Sequence, residues 1–544
     1  MKANSGNFLS GVIVFLLLAM TLAVEAWAAP PPDIFYVSTS GVDNISRDGS
    51  QSEPWRSITY AISRGEVGSG DIINVLDDGD EGSEDYVENI TVSKSVKIKG
   101  ADSNSYKPIV KASNTNLNVF DVTSDAVEIT KLAIYGAASA AGVKLNNVSK
   151  CLIHNNYCGI SSSRRNAYGI LISYGSRNVI KENSIDSNTT AGIALWETSG
   201  NRIEFNNLLN NANGILVVQS GSANIITFNW IYNNTDSGNG VGIGFGASTN
   251  QNIVSGNYIE ENDVAIDLDG MAGGIFASNT VRNNGVGIYV PSYAFSNSIF
   301  RNNFDENTTN INSAASGYNL GSSAPIFYRY ESRYFKSFFG NLYSDYSGSD
   351  ANGNGIGDTP YSTANYQDSQ PLIDSISSFS LHGWALYHSG GIGRLVKSFV
   401  GEGDVVTLSP SINKVFSTTN AFTERWIFKR GEAGAQTTWT GWLTFASPPA
   451  FGHTIEVTIG TSDAGGANFQ ALCTQVDVAG NGTSNIFYFT CDPKAFVLPK
   501  GKALAVRFRN TGATSLEMMV GGAASMIFAP RGSMPSIPLT HLFL

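Results

Sequence analysis

Charge is scarce in this sequence: Asp, Glu, Lys and Arg make up 15% of 544 residues, against about 25% in ordinary soluble domains. Coiled coils, helical repeats and charged disordered tails are all rich in those residues and are excluded. Lys and Arg number 34 against 45 Asp and Glu, a net charge of -11, so the basic footprint of a nucleic-acid partner is missing. Cysteine occurs four times with no C-x-x-C pair, and histidine five times. Beyond the N-terminus no apolar run is long enough to span a bilayer. What is plentiful is Gly (57 residues), Asn and β-branched residues, with 42% hydrophobic and 11% aromatic residues. The length is more than three times the ~150 residues of a typical domain, so at least two packed units are expected. Low charge with many small polar residues points to an extended all-β surface outside the cytoplasm.

The N-terminus agrees with that compartment. Lys2 precedes the apolar run from Phe8 to Val24, and Ala26-Trp27-Ala28 follows as an A-x-A-like cleavage site. Residues 1–28 therefore read as a secretory signal peptide. The alternative is an uncleaved membrane anchor, since the run approaches spanning length. In an oxidising compartment Cys473 and Cys491 could bridge neighbouring strands; a bridge between Cys151 and Cys158 has less behind it.

A repeat fills the middle of the chain. The phrase Gly-apolar-x-apolar recurs from Gly142, Gly169, Gly192, Gly214 and Gly242, as Ala265-Ile266-Asp267-Leu268, and from Gly287, at offsets of 27, 23, 22, 28, 23 and 22 residues. Asn183, Asn206, Asn229, Asn257, Asn279 and Asn302 form one column. Five residues after each stands Asn188, Asn211, Asn234, Asn262, Asn284 or Asn307.

A unit this short cannot form a sandwich of its own. Stacked as turns of one coil, each strand pairs with its counterpart about 4.8 Å above and below. Ile170, Ile193, Ile215, Ile243, Ile266 and Ile288 then stack into an aliphatic column. The asparagines fall at the sharp turns, where they tolerate left-handed backbone and can bond in a ladder. The Leu-x-x-Leu-x-Leu phrase of leucine-rich repeats is missing. The expected fold is all-β: a right-handed parallel β-helix followed by a C-terminal antiparallel β-sandwich.

After the last clear coil come Gly340-Asn341-Leu342-Tyr343-Ser344-Asp345-Tyr346, then Asp350-Ala351-Asn352-Gly353-Asn354-Gly355-Ile356-Gly357-Asp358-Thr359-Pro360-Tyr361, then Gln370-Pro371-Leu372. With the coils, this succession resembles the closing segment of the NosD-like β-helix family in the pectin-lyase-like superfamily. The resemblance covers roughly residues 140 to 373. It implies an extracytoplasmic β-helix of the carbohydrate-binding and sugar-hydrolase type, in a family named for copper maturation.

Residues 29–135 read as an N-terminal cap and first coils, with a short helix from Pro54 to Ile62 laid over the open end. Residues 136–373 are the β-helix with its closing segment. Over 376–536 the asparagine columns stop, and alternating runs such as Thr454-Ile455-Glu456-Val457-Thr458-Ile459 indicate the sandwich, an accessory or attachment module or a second sugar-binding unit.

Asp350, Asn352, Asn354, the Ile356 carbonyl and Asp358 fall at positions 1, 3, 5, 7 and 9 of a calcium loop, with Gly355 at the sharp turn. Tyr361 stands where an EF-hand has its bidentate Glu, so a weaker Ca²⁺ site, or a loop of Asx turns without metal, is expected. Copper has few ligands to use. Of the five histidines only His154 lies among the coils, and Met518-Met519 reads as core or interface.

For catalysis, one outward column of the repeat reads Lys144, Leu171, Ala194, Leu216, Gly244, Asp267, Tyr289, and the next reads Asn146, Ser173, Trp196, Val218, Gly246, Asp269, Pro291. Asp267 and Asp269 are the candidate catalytic pair; Trp196, Tyr289 and Lys144 are the candidate sugar contacts. The patterns of neighbouring enzymes are incomplete. Asn234-Thr235-Asp236 matches only the first of the polygalacturonase motifs, no Gly-His-Gly exists, and the Asp-Pro-His-Asp of alginate epimerases is missing. The favoured function is a secreted, periplasmic or cell-surface protein that binds polysaccharide or cell-surface glycan along a rigid groove without catalysis. The alternatives are a polysaccharide lyase or glycoside hydrolase, and a NosD-like periplasmic metal-site maturation factor.

Overall fold

The computed structural model describes residues 31–77, 86–101, 107–235, 238–314, 318–322, 326–331, 333–363 and 365–381, and then, with interruptions, strands and turns between 383 and 528. Residues 1–28, where a signal peptide is expected, Cys473 and the side chain of Cys491 lie outside the described residues. Cys151 and Cys158 are both free and buried.

Three parallel sheets stack into a solenoid. Each coil visits them in the same order, as in Tyr168–Ser173, Val179–Lys181 and Ser184–Asp186. We name these sheets I, II and III; they hold 10, 11 and 11 strands. Successive coils pair in register, so Ile170, Ile193, Ile215, Ile243, Ile266 and Ile288 stand one above another. All six are fully buried. The glycine before five of the six isoleucines follows from this stacking: a Cβ on Gly242 would lie 2.6 Å from the Ala265 carbonyl of the next coil. The same closeness lets the backbone turn from sheet III into sheet I.

The asparagine columns are ladders at the corners. Each Oδ1 accepts the backbone N–H and the Nδ2 of the asparagine one coil earlier, as Asn206 does from Asn183 and Asn229 from Asn206. A third ladder, unnoticed in the sequence, runs through Asn178, Asn201, Asn224 and Asn252 between sheets I and II. One expectation needs correction. The ladder asparagines are not left-handed; the residue before each takes positive φ, among them Glu182, Phe205, Phe228 and Asn210. The inward amide's bonds hold that turn, so the strained position tolerates many residue types.

Asp368 ends the first ladder. Its Oδ2 accepts the Asn341 backbone N–H at 2.8 Å and the Tyr343 hydroxyl at 3.1 Å, and its Oδ1 accepts the Gln370 N–H at 3.0 Å. The side chain is fully buried, which pushes its carboxyl up to about 6. Because the folded state holds this proton more tightly, its contribution to stability is greatest below about pH 4 and is lost as pH rises through 6. Thermal melts at pH 4 and pH 7 should therefore show Asp368→Asn gaining on the wild type as pH rises. A difference that stays constant would mean an ordinary carboxyl.

The N-terminal helix runs from Ile58 to Ser63, later than expected, because Trp55 first pairs with Val37 in a bridge. The Ser57 hydroxyl accepts the Tyr60 N–H, and Glu88 accepts those of Ile58 and Thr59. Ile58, Ala61 and Ile62 join the core of the first coils.

The C-terminal part is antiparallel with one parallel pair; twelve of its strands join in one network, and Trp426–Phe428 pairs separately with Phe496–Leu498. It has its own core around Leu443, Val457 and Phe508. Over its later coils the outer face of sheet II is not free. Ile225, Ile253 and Ile275 pack with Tyr328, Phe339 and Phe379 of the closing segment and with Ala446 and Met519 of the C-terminal module.

Candidate functional site

The later coils of sheet II are covered, and the sequence-predicted catalytic and sugar-contact residues are found on sheet I and at its rim. Asp121, Lys144, Leu171, Ala194, Leu216, Gly244, Asp267, Tyr289 and Asn312 form one register column. Asp267 and Tyr289 are therefore adjacent, whereas Lys144 stands five coils from Asp267, about 24 Å at the strand spacing. Trp196 sits one residue pair further along its strand, beside Ser173 and Val218. Its side chain is 37% exposed, and its indole N–H donates to Gln219 Oε1 at 2.5 Å, which fixes the ring.

The two carboxylates are placed differently from each other. The strand Val264–Asp267 ends at Asp267, and Leu268 turns into the core. Asp269 thus lies in the turn at the rim of the sheet. Its backbone N–H donates to Asp267 Oδ1 at 3.0 Å, and its own Oδ1 accepts the phenol of the exposed Tyr293. Burial, with the Asp269 charge beside it, pushes the Asp267 carboxyl up to about 6. A half-buried acid near neutrality can donate or accept a proton at physiological pH. Tyr293 and Gln219 were missed because they lie in turns, where no periodicity marks them.

The loop 350–358 is closed by its own hydrogen bonds. Asp350 accepts the N–H groups of Asn354 and Gly355 at 3.0 and 2.7 Å, and Asn354 Oδ1 that of Ile356 at 2.7 Å. Asp358 accepts the Ala351 N–H at 2.6 Å, and Asn352 turns its Nδ2 to the same carboxylate. Arg333 donates to the carbonyls of Asn352 and Gly353. The donors fit a chain of Asx turns with a guanidinium beside it better than a calcium cage. Ile356 contributes a buried side chain that packs against the closing segment.

His154 is bonded to Glu128 at 2.8 Å, where Lys97 also pairs, and His453 to Asn510 at 2.7 Å. Met518 is buried in the C-terminal core and Met519 against sheet II. Among the described residues, no three His, Cys, Asp or Glu side chains gather to hold a metal.

Residues 118–273 match the family described as right handed beta helix region, and residues 233–348 that described as periplasmic copper-binding protein (NosD). A pectate lyase, Pel9A, is similar at TM-score 0.33 and 14% identity over 53% of this chain and 79% of that one. An alginate lyase from Paenibacillus sp. str. FPU-7 gives 0.31 and 15% over 48% and 96%. The Dettilon tailspike protein gives 0.32 and 14% over 90% and 94%. No curated protein matches the chain. The stacked sheets and the family matches together define a right-handed parallel β-helix. Residues 118–273 carry the β-helix match, and the NosD-like stretch overlaps its later coils. That stretch has no His and no Cys, and its one Met, Met271, is buried with Asn252 and Thr249 bonded to its sulfur. The residues there do not fit copper.

Among the described residues no helix is long and apolar enough to cross a membrane.

Proposed function

We propose that the chain is an extracytoplasmic protein that holds a polysaccharide along sheet I without cleaving it. The observation that carries this reading is a fixed, exposed Trp196 on the same sheet as an acid pair that has no cationic partner among the described residues. Trp196 offers a flat platform for a sugar ring, and Tyr289 a second one some coils along. Asp267 and Asp269 accept from sugar hydroxyls there. A lyase would need a base and a cation converging on the uronate, yet Lys144 is five coils away. A hydrolase would need both carboxylates open to the bond, yet Asp269 is held by Tyr293. The signal-peptide reading and the periplasmic description of the matched NosD family support the compartment.

The test is a panel of uronic-acid and neutral polysaccharides scored for retention and for new reducing or unsaturated ends. Retention without product is expected, weakened about tenfold in Trp196→Ala and little changed in Asp267→Asn. Product that vanishes in Asp267→Asn would overturn the proposal, since the carboxylate would then be acting on a transition state.

A further inference from the structure

The groove reading does not use sheet III, and some of its outward positions carry an aromatic cluster. Trp230 begins the strand Trp230–Tyr232 and is 45% exposed. Ile231 points into the core, so Trp230 and Tyr232 share the outer side, with ring centroids 6.1 Å apart. Tyr258 stands directly beside Trp230 on the next coil. At the adjoining corner Phe205 and Phe228 stack at 5.3 Å with their planes within 10°. The rim beyond Tyr232 is an exposed amide row: Asn233 donates to Asn210 at 2.8 Å, and Asn210 to Asp186 at 3.1 Å.

On sheet II, apolar outward residues are explained by the module that covers them. On sheet III, Trp230, Tyr232 and Tyr258 are flat aromatics, beside Asn207 and Leu209, and Trp230 remains open. We infer that this surface is a second carbohydrate-binding site, separate from sheet I, and that it takes a polymer of uncharged pyranose rings. The aromatic faces would stack on sugar C–H faces, and the amide row would bond hydroxyls. One coil advances about 4.8 Å, comparable with one pyranose unit, so Trp230 and Tyr258 can contact successive rings.

The charges choose the class of sugar. Glu261 lies beside Tyr232, and Glu260, Asp305 and Glu306 surround the cation Arg282. Its guanidinium lies 3.4 Å from Glu260, 3.8 Å from Asp305 and 3.5 Å from Glu306, and also reaches the Tyr258 hydroxyl. The guanidinium is thus neutralised within the protein, and the patch is left net negative. A uronate chain would be repelled. A second copy of this chain is a poor occupant, because a patch two coils long with a charged rim falls short of the area a stable dimer needs, about 1,000 Å² or more.

The test uses the full chain and affinity electrophoresis in a neutral β-glucan, a neutral mannan and a polyuronate. Trp230→Ala should lower the affinity for one of the neutral polymers about tenfold, with Trp230→Phe intermediate because it keeps a ring. Trp196→Ala serves as the control for sheet I. If Trp196→Ala loses all neutral-polymer retention and Trp230→Ala none, sheet III is not a binding surface, whatever becomes of sheet I. Loss of polyuronate retention in Trp230→Ala would overturn the assignment to uncharged sugars. Sedimentation that shows a wild-type dimer abolished by Trp230→Ala would replace the sugar by a second copy.

Discussion

Leucine in place of Asn206 should destabilise the coil region by about 3–5 kcal/mol, even though leucine fills a similar volume. Asn206 is fully buried. Its Oδ1 accepts the Asn183 N–H and Nδ2 at 3.1 and 3.0 Å. Its Nδ2 donates to the Ile180 and Glu204 carbonyls and to Asn229 Oδ1, at 2.9, 3.1 and 3.0 Å. Leucine removes all of these and leaves the Asn183 N–H buried without a partner. Each such orphan costs about 1–3 kcal/mol, and water cannot reach it between two stacked coils. Asn207→Ala, one residue on and exposed, should change stability by less than about 0.5 kcal/mol. Denaturant melts with hydrogen exchange at the neighbouring coils would check both. The exchange matters because a solenoid can lose one coil before the rest. Equal stability of the two variants would mean that the ladder does not carry the fold.

The ladders show why this fold was legible in the sequence. A coil that repeats every 22 or 23 residues puts chemically identical tasks at fixed spacing, so Asn183 and Asn188 announce themselves through their copies. The third ladder was equally available, five residues before the first column at Asn178, Asn201, Asn224 and Asn252. Gly274 interrupts it, and the eye follows unbroken columns. What the columns do was harder to see. Asparagine tolerates left-handed backbone, yet that strain sits on its neighbour, because the amide must point inward to bond the next coil.

The candidate site was legible only in part, for a related reason. Register placed Asp267 beside Tyr289 correctly, since both obey the strand alternation. Asp269 does not, because the strand ends two residues earlier. Its partner Tyr293 comes from a turn one coil on. Contacts between turns leave no periodic trace. The covered face did leave one: Ile225-Ile226, Ile253-Val254 and Ile275-Phe276 are apolar on both sides of the strand, the mark of a sheet buried on both faces. What covers it is non-local, and no spacing within the repeat could name the C-terminal module.

That cover encloses a buried ion pair of sheet II, and removing half of the pair should be as damaging as breaking a ladder. Arg202 and Glu204 lie on the outer side of sheet II with 2% and 1% of their side chains exposed, 2.7 Å apart. Arg202 Nη1 donates to the Val520 carbonyl of the C-terminal module at 2.6 Å. Arg202→Ala would leave the Glu204 carboxylate buried without its counter-charge and the Val520 carbonyl without a donor, a loss of about 3–5 kcal/mol. Arg177 and Glu517 also join the two parts, at 2.5 Å, but are partly exposed, so Glu517→Ala should cost at most about 1 kcal/mol. The decisive variant is the double replacement Arg202→Met with Glu204→Leu. Arg202 Nε and Glu204 Oε1 have no partner among the described residues, so the pair is imperfectly compensated as it stands. Two apolar side chains facing Ala446 and Met519 should therefore recover most of the loss, and can exceed the wild type. Thermal melts of the three variants separate the outcomes. A large loss in Arg202→Ala that the double variant restores means that burial by the C-terminal module, rather than attraction across it, holds the two parts together. A loss in Arg202→Ala no larger than that in Glu517→Ala would mean that water reaches Glu204 and that sheet II is open in solution, and it would return that face to the list of surfaces on which a polysaccharide could lie.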